Sequence, residues 1–287
     1  MITFKKELPR ICISLLLLAT VFSVYSCDVR INEIVDNSGY NFHYKGIGGV
    51  AITWDDNSVD EWFSARDLFK KYNAKCTFYV CNFCLLNEEK IQKLKILKED
   101  GHEIACHSFT HKDAVLYYMD YGIESYIRNE ILPALDSMHA KGFYPESFAY
   151  PNGSRNSETD EALLKYFRVL RATSYGNNIK LYSWGRTRIL QATGIDNSYS
   201  VPLESIYGML KEASDSSRVA VFYGHRISEG IDSTSYYCTS RERLGAVLKQ
   251  ASQLHLKFFT ASELDVRNLE DTYSISIKAR QKNYTDK

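Results

Sequence analysis

Short apolar, β-branched runs that stop abruptly at polar residues recur along this chain, alternating with longer stretches of helical period. Runs at 50–54, 75–81, 103–107, 147–151, 168–172, 219–223 and 257–260 are rich in Val, Ile, Phe and Tyr, as buried strands are. Between them, 59–72, 88–100, 123–141, 157–167, 203–213 and 241–254 read as helices; in the third, Ile127, Ile131, Leu132, Leu135 and Met138 fall on one face. Strand–helix alternation predicts parallel strands with helices outside, because parallel neighbours need a crossover long enough to hold a helix. A closed barrel and a doubly wound sheet both satisfy the pattern. Either one gathers chemistry at the C-terminal ends of the strands. No internal repeat, low-complexity tract or Pro/Gly-rich linker divides the chain, which predicts a single domain over 47–287.

The first residues break the pattern. Lys5, Lys6 and Arg10 precede an apolar run over 11–24 that ends at Tyr25-Ser26-Cys27. Such a segment is a signal peptide, too short for a transmembrane span, so 1–26 is set apart from the fold and 27–46 is expected to be an irregular tether. A cysteine at the end of the run is similar to a lipoprotein cleavage site. Lipidation of Cys27 is therefore expected, giving a chain held at the cell envelope, outside the cytoplasm, by its lipid alone; ordinary cleavage is the alternative.

Composition narrows the function classes. Lys+Arg 35 balances Asp+Glu 35 with no basic block, so nucleic acid is not an expected partner. The 21 Tyr suit a protein that stacks rings on sugars, or one that fills its core with them. Nothing identifies a protein partner. Setting Cys12 and Cys27 aside leaves five cysteines, an odd number. Cys81-Asn82-Phe83-Cys84 has the CxxC form of a redox pair, whereas Cys76 and Cys106 lie inside strand-like runs as small hydrophobes.

Polar clusters close four of the runs: Asp55-Asp56, His107-Ser108-Phe109-Thr110-His111, Tyr150-Pro151-Asn152-Gly153 and Gly224-His225-Arg226. Two carboxylates at the exit of a core strand repel each other and need a compensating cation or donors. Alternatively, Asp56-Asn57-Ser58 caps the next helix. His107 and His111, at i and i+4, share one face of a helical turn and can reach one ion; one Asp completes a His-His-Asp site with open positions, the catalytic style. The other Asp can then accept a proton from water, and His225 can protonate a leaving amine or alkoxide.

Thr53-Trp54-Asp55-Asp56-Asn57, Gly101-His102-Glu103-Ile104, the HSFTH segment, Tyr150-Pro151-Asn152-Gly153 and Tyr223-Gly224-His225, in that order, resemble the motifs of the polysaccharide deacetylases of carbohydrate esterase family 4. The resemblance spans about 48–264. It implies a distorted (β/α) barrel of about seven strands and a metal-dependent hydrolase that removes acetyl groups, N-acetyl ahead of O-acetyl, from a carbohydrate. Carried over, Asp55 is the catalytic base, Asp56, His107 and His111 hold a divalent ion, His225 is the catalytic acid, and the Asn152 backbone N–H is the oxyanion donor. Zinc is the first expectation for the metal, with cobalt, nickel or manganese also compatible. Tyr150, Pro151, Trp184 and Arg186 are expected at the substrate.

Departures accompany the match. Ala149 stands where the family often places an Arg that orients the base, with Arg186 or Arg188 as replacements from another loop. No Asp-x-x-Asp-Trp segment supports the catalytic acid; Ser183-Trp184 is the nearest aromatic segment. These gaps leave two alternatives: a glycan-binding relative with little turnover, and a lipid-anchored redox or structural protein working through its CxxC.

Overall fold

The computed structural model describes residues 31–35, 41–45, 47–174, 181–230 and 236–265. The expected signal peptide and Cys27 lie outside the described residues. Where an irregular tether is expected, β1 (Ile31–Val35) and β2 (Asn41–Lys45) pair as an antiparallel ribbon. Ile31, Ile34 and Val35 favour extended backbone, which is a physical reason for the difference.

Next come β3 (Gly49–Asp56), β4 (Cys76–Val80), β5 (Glu103–Cys106), β6 (Ser147–Ala149), β7 (Val169–Thr173), β8 (Ile189–Gly194) and β9 (Val219–Gly224). Each pairs in parallel with the next, and β3 pairs with β9 from Gly49↔Val219 to Trp54↔Gly224, closing a seven-stranded barrel. Closure decides between barrel and open sheet. A short parallel pair follows, β10 (Arg226–Ser228) with β11 (Cys238–Ser240). Last is β12 (Lys257–Phe259), which pairs with Gly49–Ala51 of β3 below the segment Ile52–Asp56 that β4 takes. So the strand number matches the expectation while one member differs: β8 completes the ring, and the run at 257–260 is appended to it.

Strand alternation sorts side chains between two cores. Val50, Ile52 and Trp54 of β3 face the helices, as do Phe78, Phe148 and Phe222 on other strands. Ala51, Ala105, Ala149 and Ala192 face inward, where small side chains leave room for Tyr79, Tyr182, Trp184 and Tyr223. Burial on both faces explains why the strands read as continuous apolar runs rather than alternating ones. Each large side chain so buried contributes about 1.5–3 kcal/mol.

Helices depart from expectation in three places. The 59–72 segment breaks at Ala65 into Val59–Ser64 and Arg66–Lys71. The 123–141 segment contains a π-helical turn at Ile127–Ile131, just before Pro133, which has no N–H to continue a regular ladder. Helix Ala114–Tyr121, capped by Asp113, has no counterpart in the sequence reading. Its outward positions include Leu116, Met119 and Tyr121, so it lacks the polar face that marks a helix by period.

Candidate active site

The strand exits meet at the C-terminal end of the barrel, and the acid pair ends the first. Asp55 continues the inward row of β3 and is 3% exposed. Its partner is Arg171 of β7, 0% exposed, whose Nη2 donates to Asp55 Oδ1. The guanidinium lies between the Tyr79 and Tyr223 rings, 5.3 and 5.2 Å from their centroids. Burial pushes the Asp55 carboxyl up, but Arg171, followed by His107 and His225, outweighs it and holds the group below its ordinary value. In the sheet register Arg171 is the direct partner of Ala149. The guanidinium thus comes from one strand further round the barrel and meets the same carboxylate. Arg186 and Arg188 do not take that place: Arg186 is exposed ahead of β8, and Arg188 donates to the Arg168 and Phe167 carbonyls, 2.7 and 2.8 Å, at the other end of β7.

Asp56 turns outward with φ 83° and meets the two histidines of the loop after β5. Its Oδ1 lies 3.8 Å from His107 Nε2 and 3.4 Å from His111 Nε2. The expected helical turn is absent; the backbone at Ser108 and His111 is left-handed, φ 63° at both, and this reversal, not a helix face, brings the rings together. Side-chain contacts hold the loop. Ser108 Oγ accepts from His111 N at 2.9 Å, and Thr110 N donates to Glu130 Oε2 at 2.8 Å, with a second contact from Thr110 Oγ1. Glu130, 3% exposed, projects from the π-helical turn. The capping alternative for this stretch is not what forms, since Ser58 makes no side-chain capping bond to the helix at Val59.

Asp56, His107 and His111 offer donor atoms within 4.8 Å of one another. His107 Nδ1 lies 2.8 Å from the Ala149 carbonyl, so that nitrogen carries the proton and Nε2 presents its lone pair toward Asp56. Burial pushes His107 down to about 4, keeping the ring neutral at pH 7. Two imidazoles and one carboxylate, with a fixed tautomer behind one of them, fit a divalent ion of the zinc class.

His225, at the exit of β9, is held by Asp196. Nδ1 lies 2.6 Å from Asp196 Oδ2, His225 N donates to Asp196 Oδ1 at 3.2 Å, and Thr239 Oγ1 donates to the same oxygen at 2.7 Å. A Cβ on Gly224 would stand 2.9 Å from Asp196 Oδ1 and 2.8 Å from the Trp54 ring, so this approach requires glycine. Trp62 Nε1 donates to the His225 carbonyl at 2.6 Å. Burial pushes the imidazole down, yet the Asp196 hydrogen bond and the charges of Asp55, Asp196 and Asp56 leave it above its ordinary value. Asp196, like Arg171, is a site residue that the sequence reading does not name. Its signal was present: Ile189-Leu190-Gln191-Ala192-Thr193-Gly194-Ile195 is a run closed by an acid, the same grammar as the stretch ending at Asp55.

Other expected residues lie elsewhere. Tyr150 is buried against the helices, its hydroxyl donating to Asp160 Oδ1 at 2.7 Å, so its side chain does not face the site; Pro151 is buried beside it. Asn152 is exposed at the exit of β6 with φ 59°. Trp184 is in the barrel interior at its N-terminal end, donating to the Ile47 carbonyl at 3.0 Å and packed edge-on to Phe259, which removes it from substrate contact. Cys76, Cys81, Cys84, Cys106 and Cys238 are free thiols. Burial pushes Cys81 up to about 12, opposite to what a reactive CxxC needs.

Residues 45–167 match the family model for polysaccharide deacetylase. A bifunctional xylanase/deacetylase of Pseudobutyrivibrio xylanivorans is 32% identical over 96 residues, 33% of this chain and 15% of that protein, so this chain spans only a small part of that relative's length. Among solved structures, a variant of the peptidoglycan deacetylase PdaC from Bacillus subtilis superposes with a TM-score of 0.51 at 15% identity, covering 81% of this chain and 97% of that one. At that identity the likeness is one of fold.

Proposed function

We propose that this chain, which belongs to the polysaccharide deacetylase family, is a metal-dependent hydrolase that removes acetyl groups, N-acetyl ahead of O-acetyl, from a carbohydrate. One observation carries the reading: three separately built units, Asp55–Arg171, Asp56–His107–His111 and His225–Asp196, converge at one end of the barrel. Asp56, His107 and His111 would hold a divalent ion, zinc first, which when bound polarises the acetyl carbonyl and acidifies water. Asp55, kept ionised by Arg171, takes the proton of the attacking water. The Asn152 N–H is the donor toward the developing oxyanion. His225, kept protonated by Asp196, delivers a proton to the departing amine, so one carboxylate and one imidazole divide base and acid work because their surroundings push them to opposite charge states.

The glycan-binding alternative rested on Ala149 and on a fourth motif without a partner for the acid. Arg171 and Asp196 supply those two contacts from β7 and from the exit of β8. We place the protein at the cell envelope, anchored through a lipid on Cys27; no helix among the described residues is long and apolar enough to cross a membrane.

Acetate release from N- and O-acetylated glycans, with zinc and after chelation, tests the reading. Chelator-sensitive release that His107→Ala abolishes together with metal binding, while Asp55→Asn abolishes release and keeps the metal, is the expected result. An Asp55→Asn protein that loses the metal would reverse the two carboxylates; release indifferent to chelation would end the proposal.

A further inference from the structure

One ring touches both the unit that holds Asp55 and the unit that holds His225. Tyr223, the last inward side chain of β9, is 7% exposed. The Arg171 guanidinium lies over its face, 5.2 Å from the centroid. On the same ring the His225 imidazole stands at 75°, with 5.9 Å between centroids. Tyr223 is itself held by its neighbours: Gly194 of β8 and Thr53 of β3 are its register partners, and the Tyr199 ring backs it at 5.4 Å. Tyr199 in turn lies on the backbone of Gly194, where an added Cβ would stand 2.3 Å from the ring. Tyr79 covers the other face of the guanidinium at 5.3 Å, but it comes from β4, with β3 between it and β9.

Base and acid act on one bond, so their separation has to be kept: a displacement of about 1 Å can cost about 100-fold in rate. Arg171 and a protonated His225 carry like charge and repel each other. A flexible aliphatic side chain between them would let either group drift. A planar ring resists this, because its negative face attracts the guanidinium and its rigid body sets the distance to the imidazole. We propose that Tyr223 is a positioning residue shared by base and acid. It fixes the guanidinium that orients Asp55 and the imidazole of His225 relative to one another, so that a shift on one side is transmitted to the other. The inference rests on the deacetylase reading for the two roles and goes beyond it in naming the group that couples them.

Activity and stability of the full chain test it separately. Tyr223→Leu should lower kcat for acetate release by about 10- to 100-fold, with KM and zinc affinity within about twofold of native. Tyr223→Phe should keep most of the native rate, because the ring does the positioning. The coupling is read without turnover, from urea unfolding of Tyr79→Leu, Thr239→Val and their combination. Both substitutions leave the charge unchanged; one loosens the guanidinium and the other removes the donor to Asp196 Oδ1. With Tyr223 in place, the combined change in unfolding constant should depart from the product of the two single changes by about threefold to tenfold, whereas in the Tyr223→Leu background it should equal that product. Arg171→Met replaces Tyr79→Leu should that variant not fold. Simple multiplication with Tyr223 in place would overturn the proposal, as would native kcat in Tyr223→Leu. A raised KM at native kcat would also overturn it and make the ring a substrate contact. Absence of acetate release in the parent chain, with the coupling intact, would sink the hydrolase reading while leaving the shared ring standing.

Discussion

Replacing Arg171 by Met removes the guanidinium that hydrogen-bonds Asp55 while keeping most of the volume between Tyr79 and Tyr223. Both partners are almost fully buried, so solvent screening offers little discount. At about 4 Å and an effective dielectric of about 20, a unit pair is worth about 4 kcal/mol. That agrees with the roughly 3–5 kcal/mol lost when one member of a buried pair is removed. For a domain of this size the midpoint of thermal unfolding should fall by roughly 10 °C. The pH dependence has a definite sign. In the native chain the Asp55 carboxyl sits below its ordinary 3.8, so its contribution to stability is present above pH 3.8 and is lost as pH falls through the folded value. Without Arg171, burial dominates and lifts the carboxyl above 3.8; the variant is then penalised at neutral pH and recovers as pH falls, so the gap between the two proteins narrows in acid. Activity should fall with it, its acid limb moving to higher pH, because the base is protonated where the native one is ionised. Thermal melts from pH 3 to 8 and a kcat/KM profile measure both. Because Ala149 and Arg171 are register partners, the double exchange Ala149→Arg with Arg171→Ala returns a guanidinium to the same carboxylate and should recover part of the loss. An Arg171→Met protein with native melting and an unmoved acid limb would refute the assignment.

Three further outcomes are expected. Asp196→Asn removes the carboxylate that holds His225 protonated, so the basic limb of the pH–rate profile should move to lower pH and kcat should drop by about 10²- to 10⁴-fold, the range of general acid–base catalysis; an unchanged basic limb would detach Asp196 from the acid. Glu130→Ala frees Thr110 and with it the left-handed turn that carries His111, and should weaken metal binding by about 10–100-fold with the ligands untouched, read by competition with a chelating dye. His102, whose Nδ1 accepts from Cys76 N at 3.0 Å, is pushed by burial down to about 4. Its contribution is complete above pH 6.5 and lost as pH falls from 6.5 to 4, about 3 kcal/mol, so His102→Gln should be less stable at pH 7 and show a flatter acid decline in urea titrations.

Much of the architecture was legible because it depends on local composition. Strands buried on both faces must be apolar throughout, so β3, β4, β7 and β9 announce themselves, and the acids and histidines that close them stand out against that background. The metal cluster was legible for the same reason: Asp56, His107 and His111 each follow a core strand, and their chemistry belongs to the residue type. What hid was whatever depends on which strand lies beside which. Ala149 reads as a missing arginine until the β6–β7 register shows Arg171 beside it, delivering the same guanidinium to Asp55. Asp196 closes a run with the same grammar as the one at Asp55, but Gln191 and Thr193 dilute its apolar character, so only the β8 pairing shows it as a strand exit. His107 and His111 invited a helix by their spacing, whereas two left-handed residues and the Glu130 anchor bring them together. Trp184 and Tyr150 looked like sugar platforms by type, and barrel closure placed one at the barrel's N-terminal end and the other behind its wall. The sequence by itself determined the strands, their charged exits and the ligand chemistry, because burial and coordination act on residue type. Tertiary structure alone decided which strand holds the base, which acid holds His225 and which tyrosines reach water, because those depend on the closed register that sets distant residues side by side.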